Sequence, residues 1–212
     1  RATFDIADPA AFMVRHLDLM ILTAADVPNN AHGIYPDIKD QPVLADGLIR
    51  YRGEAVLALV GPPDSLARVV DADLPIRYKL LPVVTGIQDA KAASAPQLHA
   101  ERPGNILADG GVRHGDVDRA LATAAHVVEV DNETSFVEHA YIEPEAGWAV
   151  RKCDTIELHV STQTPYQHRD GTARVLGLPK DSIRLIPSAC GGGFGGKLDL
   201  NVHPIVALAA WK

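Results

Sequence analysis

Aromatic residues make up only 5% of this 212-residue sequence, and it holds just two cysteines and two tryptophans. The two thiols, Cys153 and Cys190, cannot build a disulfide framework. They also fall short of the roughly four thiolates that an iron–sulfur cluster takes. Free thiols suit a reducing compartment, so a cytoplasmic location is expected. No basic-plus-apolar leader opens the chain. No apolar run approaches the ~18 residues of a membrane span. The best, Ala55 to Val60, ends at Gly61-Pro62-Pro63. The formal net charge is −7 and there are no blocks of lysine or arginine. Nucleic acid and anionic membranes are therefore excluded as expected partners. Internal repeats and low-complexity tracts are also absent.

What is present is the composition of a globular protein, 47% hydrophobic and 22% charged. The length allows one large domain or two small ones with a buried core. Lys91 to Gly111 is rich in Ala, Ser, Pro and Gly and reads as a linker. The chain opens at Arg1 and closes in a helical pattern, Pro204 to Lys212, with no Gly or Asn stop signal. It is expected to be a piece of a longer polypeptide.

The first half predicts a helix over 9–17, strands at 20–22 and 76–81, one long strand over 48–60, and a helix over 64–72. Strand, helix and strand with short connections suggest a small crossover unit. In the second half Asp116 caps a helix through Ala125. Strands are expected at 126–131, 134–142, 147–151, 155–161 and 182–186. Thr164-Pro-Tyr-Gln167 reads as a capped helix start and Gly177 as its end. The last helix begins at Asn201 or His203. The fold class is α+β or mixed α/β.

Cys190-Gly-Gly-Gly-Phe-Gly-Gly-Lys197 demands a chemical explanation, since five glycines in six positions raise the entropy cost of ordering the loop. They expose backbone N–H groups to a ligand and allow an anion-holding nest. A tight structural loop without a ligand is the plain reading. The string matches two phosphate-binding patterns in part. The phosphate loop lacks its Ser or Thr, because Leu198 follows Lys197. The dinucleotide fingerprint needs an early strand–turn–helix unit and an acidic residue about 20 positions on, and the chain ends first. A nucleotide- or phosphate-binding protein stays open as an alternative, as does a non-catalytic interaction module. His139 and Glu143 lie four apart, but no third ligand has fitting spacing, so a structural role is expected. Cys190 is expected to be a buried small residue. Ser161 has no nucleophile elbow around it.

Ser161-Thr-Gln163, a helix ending Val175-Leu-Gly-Leu-Pro179, a strand and then Gly-Gly-Gly-Phe-Gly-Gly-Lys197 together resemble the molybdenum-binding chain of the xanthine dehydrogenase/aldehyde oxidase family. The stretch from Leu44 to Val60 resembles that family's small α/β hammerhead domain. Gly115-Asp-Val-Asp118 and His139-Ala-Tyr-Ile-Glu-Pro144 resemble the start of its cofactor domain. The resemblance implies a hammerhead domain over 1–90, a linker over 91–112 and the first part of a mixed α/β molybdopterin-binding domain over 113–212.

The cofactor implied is molybdenum on molybdopterin, with no protein side chain on the metal. The protein would act through the hydrogen bonds it makes to the metal's other ligands. Gln163 is expected to donate its amide N–H to a molybdenum-bound oxygen. Gly192, Gly193, Phe194 and Gly195 match the loop that presents N–H groups to the cofactor. The Phe194 ring either packs against substrate or anchors the loop in the core. Purine-oxidising members carry an acidic residue where Leu198 stands. Leucine neither donates nor accepts a hydrogen bond, so a purine is disfavoured and an aldehyde or a less polar N-heterocycle is expected. The resemblance further implies hydroxylation with water-derived oxygen and electrons leaving through iron–sulfur clusters and FAD on other domains or subunits. The catalytic base is expected outside this chain, which alone is expected to be inactive. Implied partners are the remainder of its own chain, iron–sulfur and flavin subunits, and a small-molecule substrate, in an oligomer.

Overall fold

The computed structural model describes residues 1–212. Contacts divide the chain into one unit of Arg1–Val83 with His139–Lys212 and a second of Val84–Glu138. No helix is long and apolar enough to cross a membrane.

The first unit opens with β1 (Ala2–Ile6), α1 (Pro9–Arg15) and β2 (Met20–Leu22), followed by β3 (Leu48–Ile49), β4 (Ala58–Val60), α2 (Pro63–Leu66) and β5 (Ile76–Leu80). Asp8 caps α1 by accepting from the Ala11 N–H at 3.0 Å. The single strand expected over 48–60 is two strands in different sheets. β1 lies between β3 and β5, antiparallel to both, and β2 pairs antiparallel with β4. No parallel crossover forms, because β4 and β5 belong to different sheets. The helix expected over 64–72 is the single turn of α2.

In the second unit, α3 (Ile87–Lys91) and α4 (Val117–Thr123) are the α-helices. Asn105 organises the stretch between them. Its Oδ1 accepts from the Leu98 N–H at 2.8 Å, and its Nδ2 donates to the carbonyls of Ala90 and Pro96. Asp116 caps α4 as its sequence suggests.

The strands expected over 126–131 and 134–142 do not form. A strand is held by its neighbour's hydrogen bonds, and no segment pairs with these residues despite their β-branched pattern. Val128, Phe136 and Ile142 stand 84%, 99% and 95% exposed, so the apolar pattern here covers no core.

The first unit resumes with β6 (Gly147–Lys152), β7 (Thr155–Val160), α5 (Pro165–Leu176), β8 (Ile183–Pro187) and α6 (Val202–Trp211). β6 pairs antiparallel with β7, and β8 pairs parallel to β7 with α5 as the connection. Alternation along β7 buries Ile156, Leu158 and Val160. They pack with Val175 and Leu176 of α5, Ala207 and Leu208 of α6, and Leu22, Val43 and Leu44 from earlier in the unit. The fold is mixed α/β.

Two helix-end expectations fare differently. Gly177 ends α5 in the left-handed region at φ 67°, with its N–H on Ala173 and Arg174 carbonyls. Thr164 does not cap α5 with its side chain. Its hydroxyl turns to the Leu198 carbonyl, while the Thr162 hydroxyl accepts the Thr164 N–H at 3.0 Å.

Candidate functional site

β7 delivers the chain to the site. Its inward alternation ends at Val160, Ser161 and Thr162 stay buried, and Gln163 emerges exposed just before Pro165 starts α5. The Gln163 backbone N–H donates to the Lys197 carbonyl at 3.2 Å. Its side-chain Oε1 accepts from the amide N–H groups of Gly195 and Lys197, both at 3.1 Å. Two donors on one oxygen fix the amide's orientation. The Nε2 group therefore points away with two N–H donors and no acceptor in the protein.

The glycine loop wraps this side chain. A Cβ on Gly193 would meet Gln163 Oε1 at 2.5 Å, so only glycine lets the backbone come this close. Gly195 has φ +96°, which side chains rarely adopt. Phe194 sits at φ 53° and is 75% exposed, so its ring does not anchor the loop in the core. The N–H groups of Gly192, Gly193 and Phe194 have no acceptor in the protein. Three consecutive loop amides and the carboxamide nitrogen of Gln163, whose oxygen the loop holds, are thus unused donors, an arrangement suited to oxygen-rich acceptors.

Lys197 is fully buried. Its Nζ donates to Glu143 Oε2 at 2.7 Å and to Ser161 Oγ at 3.0 Å, and it lies 4.7 Å from the centre of the Tyr141 ring. Glu143 Oε2 also accepts from Ser161 Oγ at 2.7 Å and from the Gly191 N–H at 2.8 Å. The Lys197 hydrogen bond first, then those of Ser161 and Gly191, hold the Glu143 carboxyl down to about 2. Burial alone would lower the Lys197 ammonium, but the hydrogen bond and charge of Glu143 outweigh it and raise it. Both groups are charged at neutral pH.

Beneath the loop lies a second network. His168 and His203, both buried, meet edge to face at 4.2 Å. His168 Nε2 lies 2.8 Å from the Leu198 carbonyl, so that nitrogen carries the proton and donates. Its Nδ1 accepts from the Thr162 hydroxyl at 2.6 Å. Burial lowers His168, and burial with the neighbouring His168 ring brings His203 to about 3. Both rings are neutral. They tie the Gln163 segment to the residues following the loop.

The structure thus brings Gln163, Gly192, Gly193, Phe194 and Gly195 together. Cys190 corrects the expectation of a buried residue, being exposed at the loop's start with its thiol on the Gly192 carbonyl at 3.2 Å. Glu143 joins no cluster of three or more metal-binding side chains. It forms an ion pair with Lys197. Leu198 and Asp199 line a cavity of about 420 Å³ with His32, Lys39, Gln167 and Arg174. No helix starts at the loop, since α6 begins only at Val202, so neither phosphate-binding pattern has its helix N-terminus. Sequence reasoning gave no role to Lys197. One signal was available: it is the sole charge between Arg184 and Asp199.

The sequence profile described as "Molybdopterin cofactor-binding domain" matches residues 98–212. The chain is 35% identical over 194 residues to a probable xanthine dehydrogenase subunit of Bacillus subtilis, covering 91% of this chain and 26% of that protein. It is 35% identical over 176 residues to the nicotinate dehydrogenase large molybdopterin subunit of Eubacterium barkeri, covering 82% and 41%. The chain therefore spans less than half the length of these relatives. In fold it is similar to the aldehyde oxidoreductase of Desulfovibrio gigas, with a TM-score of 0.82 at 24% identity over 99% of this chain and 24% of that one. With a match across more than half its length, the chain belongs to the molybdopterin cofactor-binding family of the xanthine dehydrogenase/aldehyde oxidase-type molybdenum hydroxylases.

Proposed function

We propose that this chain forms the first part of the cofactor cradle of a molybdenum hydroxylase that oxidises an aldehyde or a weakly polar N-heterocycle. The observation that carries this reading is the orientation of Gln163. Its oxygen is taken by two loop amides, which leaves its nitrogen free beside the unused N–H groups of Gly192, Gly193 and Phe194. When bound, the cofactor supplies the two-electron redox chemistry and the site where water-derived oxygen is activated.

The chain's own residues hold and orient. Gln163 Nε2 and the loop amides would donate to the cofactor's oxygen acceptors. Neutral donors suit acceptors that carry partial negative charge, where a carboxylate at 163 would repel them. Phe194, exposed beside these donors, gives the reacting face an apolar edge. Glu143 does not act as the base, because a carboxyl held near 2 by three donors is a poor proton acceptor. The family resemblance, not this exclusion, implies a base outside these residues, and in this reading the 212 residues alone turn nothing over. Leu198 offers no hydrogen bond to a purine, which disfavours xanthine.

In this reading residues 1–90 form the hammerhead domain, 91–112 a linker and 113–212 the start of the cofactor domain. Iron–sulfur and flavin subunits carry the electrons away within a cytoplasmic oligomer. The test is metal analysis of the chain joined to the segment encoded after it, purified from molybdate-fed cells. Near-stoichiometric molybdenum with turnover of aldehydes or azaarenes, and little of xanthine, is expected. A metal-free, inactive product rejects the reading.

A further inference from the structure

We propose that Glu143 and Lys197 are positioning residues that lock the glycine loop and set the direction of the Gln163 amide. This deepens the proposed function and depends on it for its consequence, not for its geometry.

Lys197 acts on Gln163 from both ends. Its backbone N–H holds Gln163 Oε1, and its carbonyl accepts the Gln163 backbone N–H. Its side chain runs the other way, fully buried, to Glu143 and Ser161. Turning the Lys197 backbone to release its ammonium would thus release Gln163. Glu143 fixes the other end of the loop. Its Oε2 accepts the Gly191 N–H, and its own N–H donates to the Gly191 carbonyl at 3.3 Å. The carboxylate therefore fastens both ends of the loop, 191 and 197, to the end of β7 at Ser161. None of these atoms belongs to the unused donors. An ammonium with no exposure needs a counter-charge; Cys190 and Glu145 act on it through space, but Glu143 is the carboxylate that hydrogen-bonds it, so the loop keeps this shape while Glu143 is ionised.

The test uses the ¹⁵N-labelled chain, read by amide hydrogen exchange and by the Gln163 side-chain amide signals. In Glu143→Gln, exchange at Gly191, Gly195 and Lys197 rises at least tenfold and the Gln163 signals move towards those of a free glutamine. Exchange at Val175 and Leu176, inside α5, stays as it was. Should the unpaired ammonium unfold that variant, the double variant Glu143→Gln with Lys197→Met removes the buried charge and restores folding. Its Gln163 signals remain shifted. Unchanged loop exchange and unchanged Gln163 signals in either folded variant overturn the proposal. These readings need no cofactor. A loosened loop alongside a metal-free extended protein upholds the lock and rejects the cofactor reading. Unaltered loop exchange alongside a metal-loaded extended protein does the reverse.

Discussion

Gln163 and Lys197 exchange two hydrogen bonds, backbone N–H to carbonyl at 3.2 Å and backbone N–H to side-chain oxygen at 3.1 Å. A residue after a strand and a residue after a loop, 34 positions apart, thereby behave as one unit. The direction of the Gln163 nitrogen follows from this pairing and not from the rotamer of an isolated side chain.

Gln163→Glu keeps an oxygen for Gly195 and Lys197 but replaces both outward N–H donors with a second acceptor. The loop amides should exchange at the wild-type rate, while the molybdenum content of the extended protein falls at least tenfold. Wild-type content would show that the outward donor is dispensable.

Gly193→Ala works by space, since the new Cβ would lie 2.5 Å from Gln163 Oε1. The side chain must leave, and its two hydrogen bonds with it. Nuclear Overhauser contacts between the Gln163 side chain and the loop should vanish in the labelled chain. Their survival would show that the loop retreats instead.

Three buried histidines make folding sensitive to acid. Burial lowers His32, His168 and His203, the last to about 3 with help from the His168 ring. The folded chain keeps them neutral while the unfolded chain protonates them below about 6.5, so stability present above that pH is lost as pH falls. His203 contributes a slope of up to about 1.4 kcal/mol per pH unit, and His32 and His168 act in the same direction. Glu143 and Glu157, both held to about 2, add to the loss only below about 4.5. Urea titrations at pH 7 and pH 5.5 should therefore differ, and the difference should shrink in His203→Phe.

Within α5, Thr172 is fully buried and its hydroxyl has no partner. Thr172→Val exchanges that hydroxyl for a methyl of similar shape and should be neutral or stabilising by about 1 kcal/mol. Leu158→Ala, a cavity in the same core, should cost about 2–5 kcal/mol. A destabilised Thr172→Val in urea titration would show that the hydroxyl has an unseen partner.

The sequence was most legible where local chemistry and burial agree. Gly177 stops α5 because a left-handed residue ends a helix. β7 alternates because one face meets the core. The same alternation misled over 126–142, where no neighbouring strand is present to pair. The gathering of Gln163 with the loop was readable through family resemblance, since nothing local to either segment specifies the other. Lys197 was missed because a lysine after glycines looks solvated, and only the distant Glu143 and Ser161 make its burial tolerable. Thr164 shows the same limit in small, its hydroxyl drawn from the expected cap to Leu198.

The bare ribbon carrying Val128, Phe136 and Ile142 also bears on how the chain behaves in bulk. At neutral pH the charge of −7 keeps molecules apart despite these sticky side chains. Near the isoelectric point, about 5.7, that repulsion disappears while the greasy surface remains. Concentrated solutions should turn cloudy on mild acidification, ahead of any unfolding.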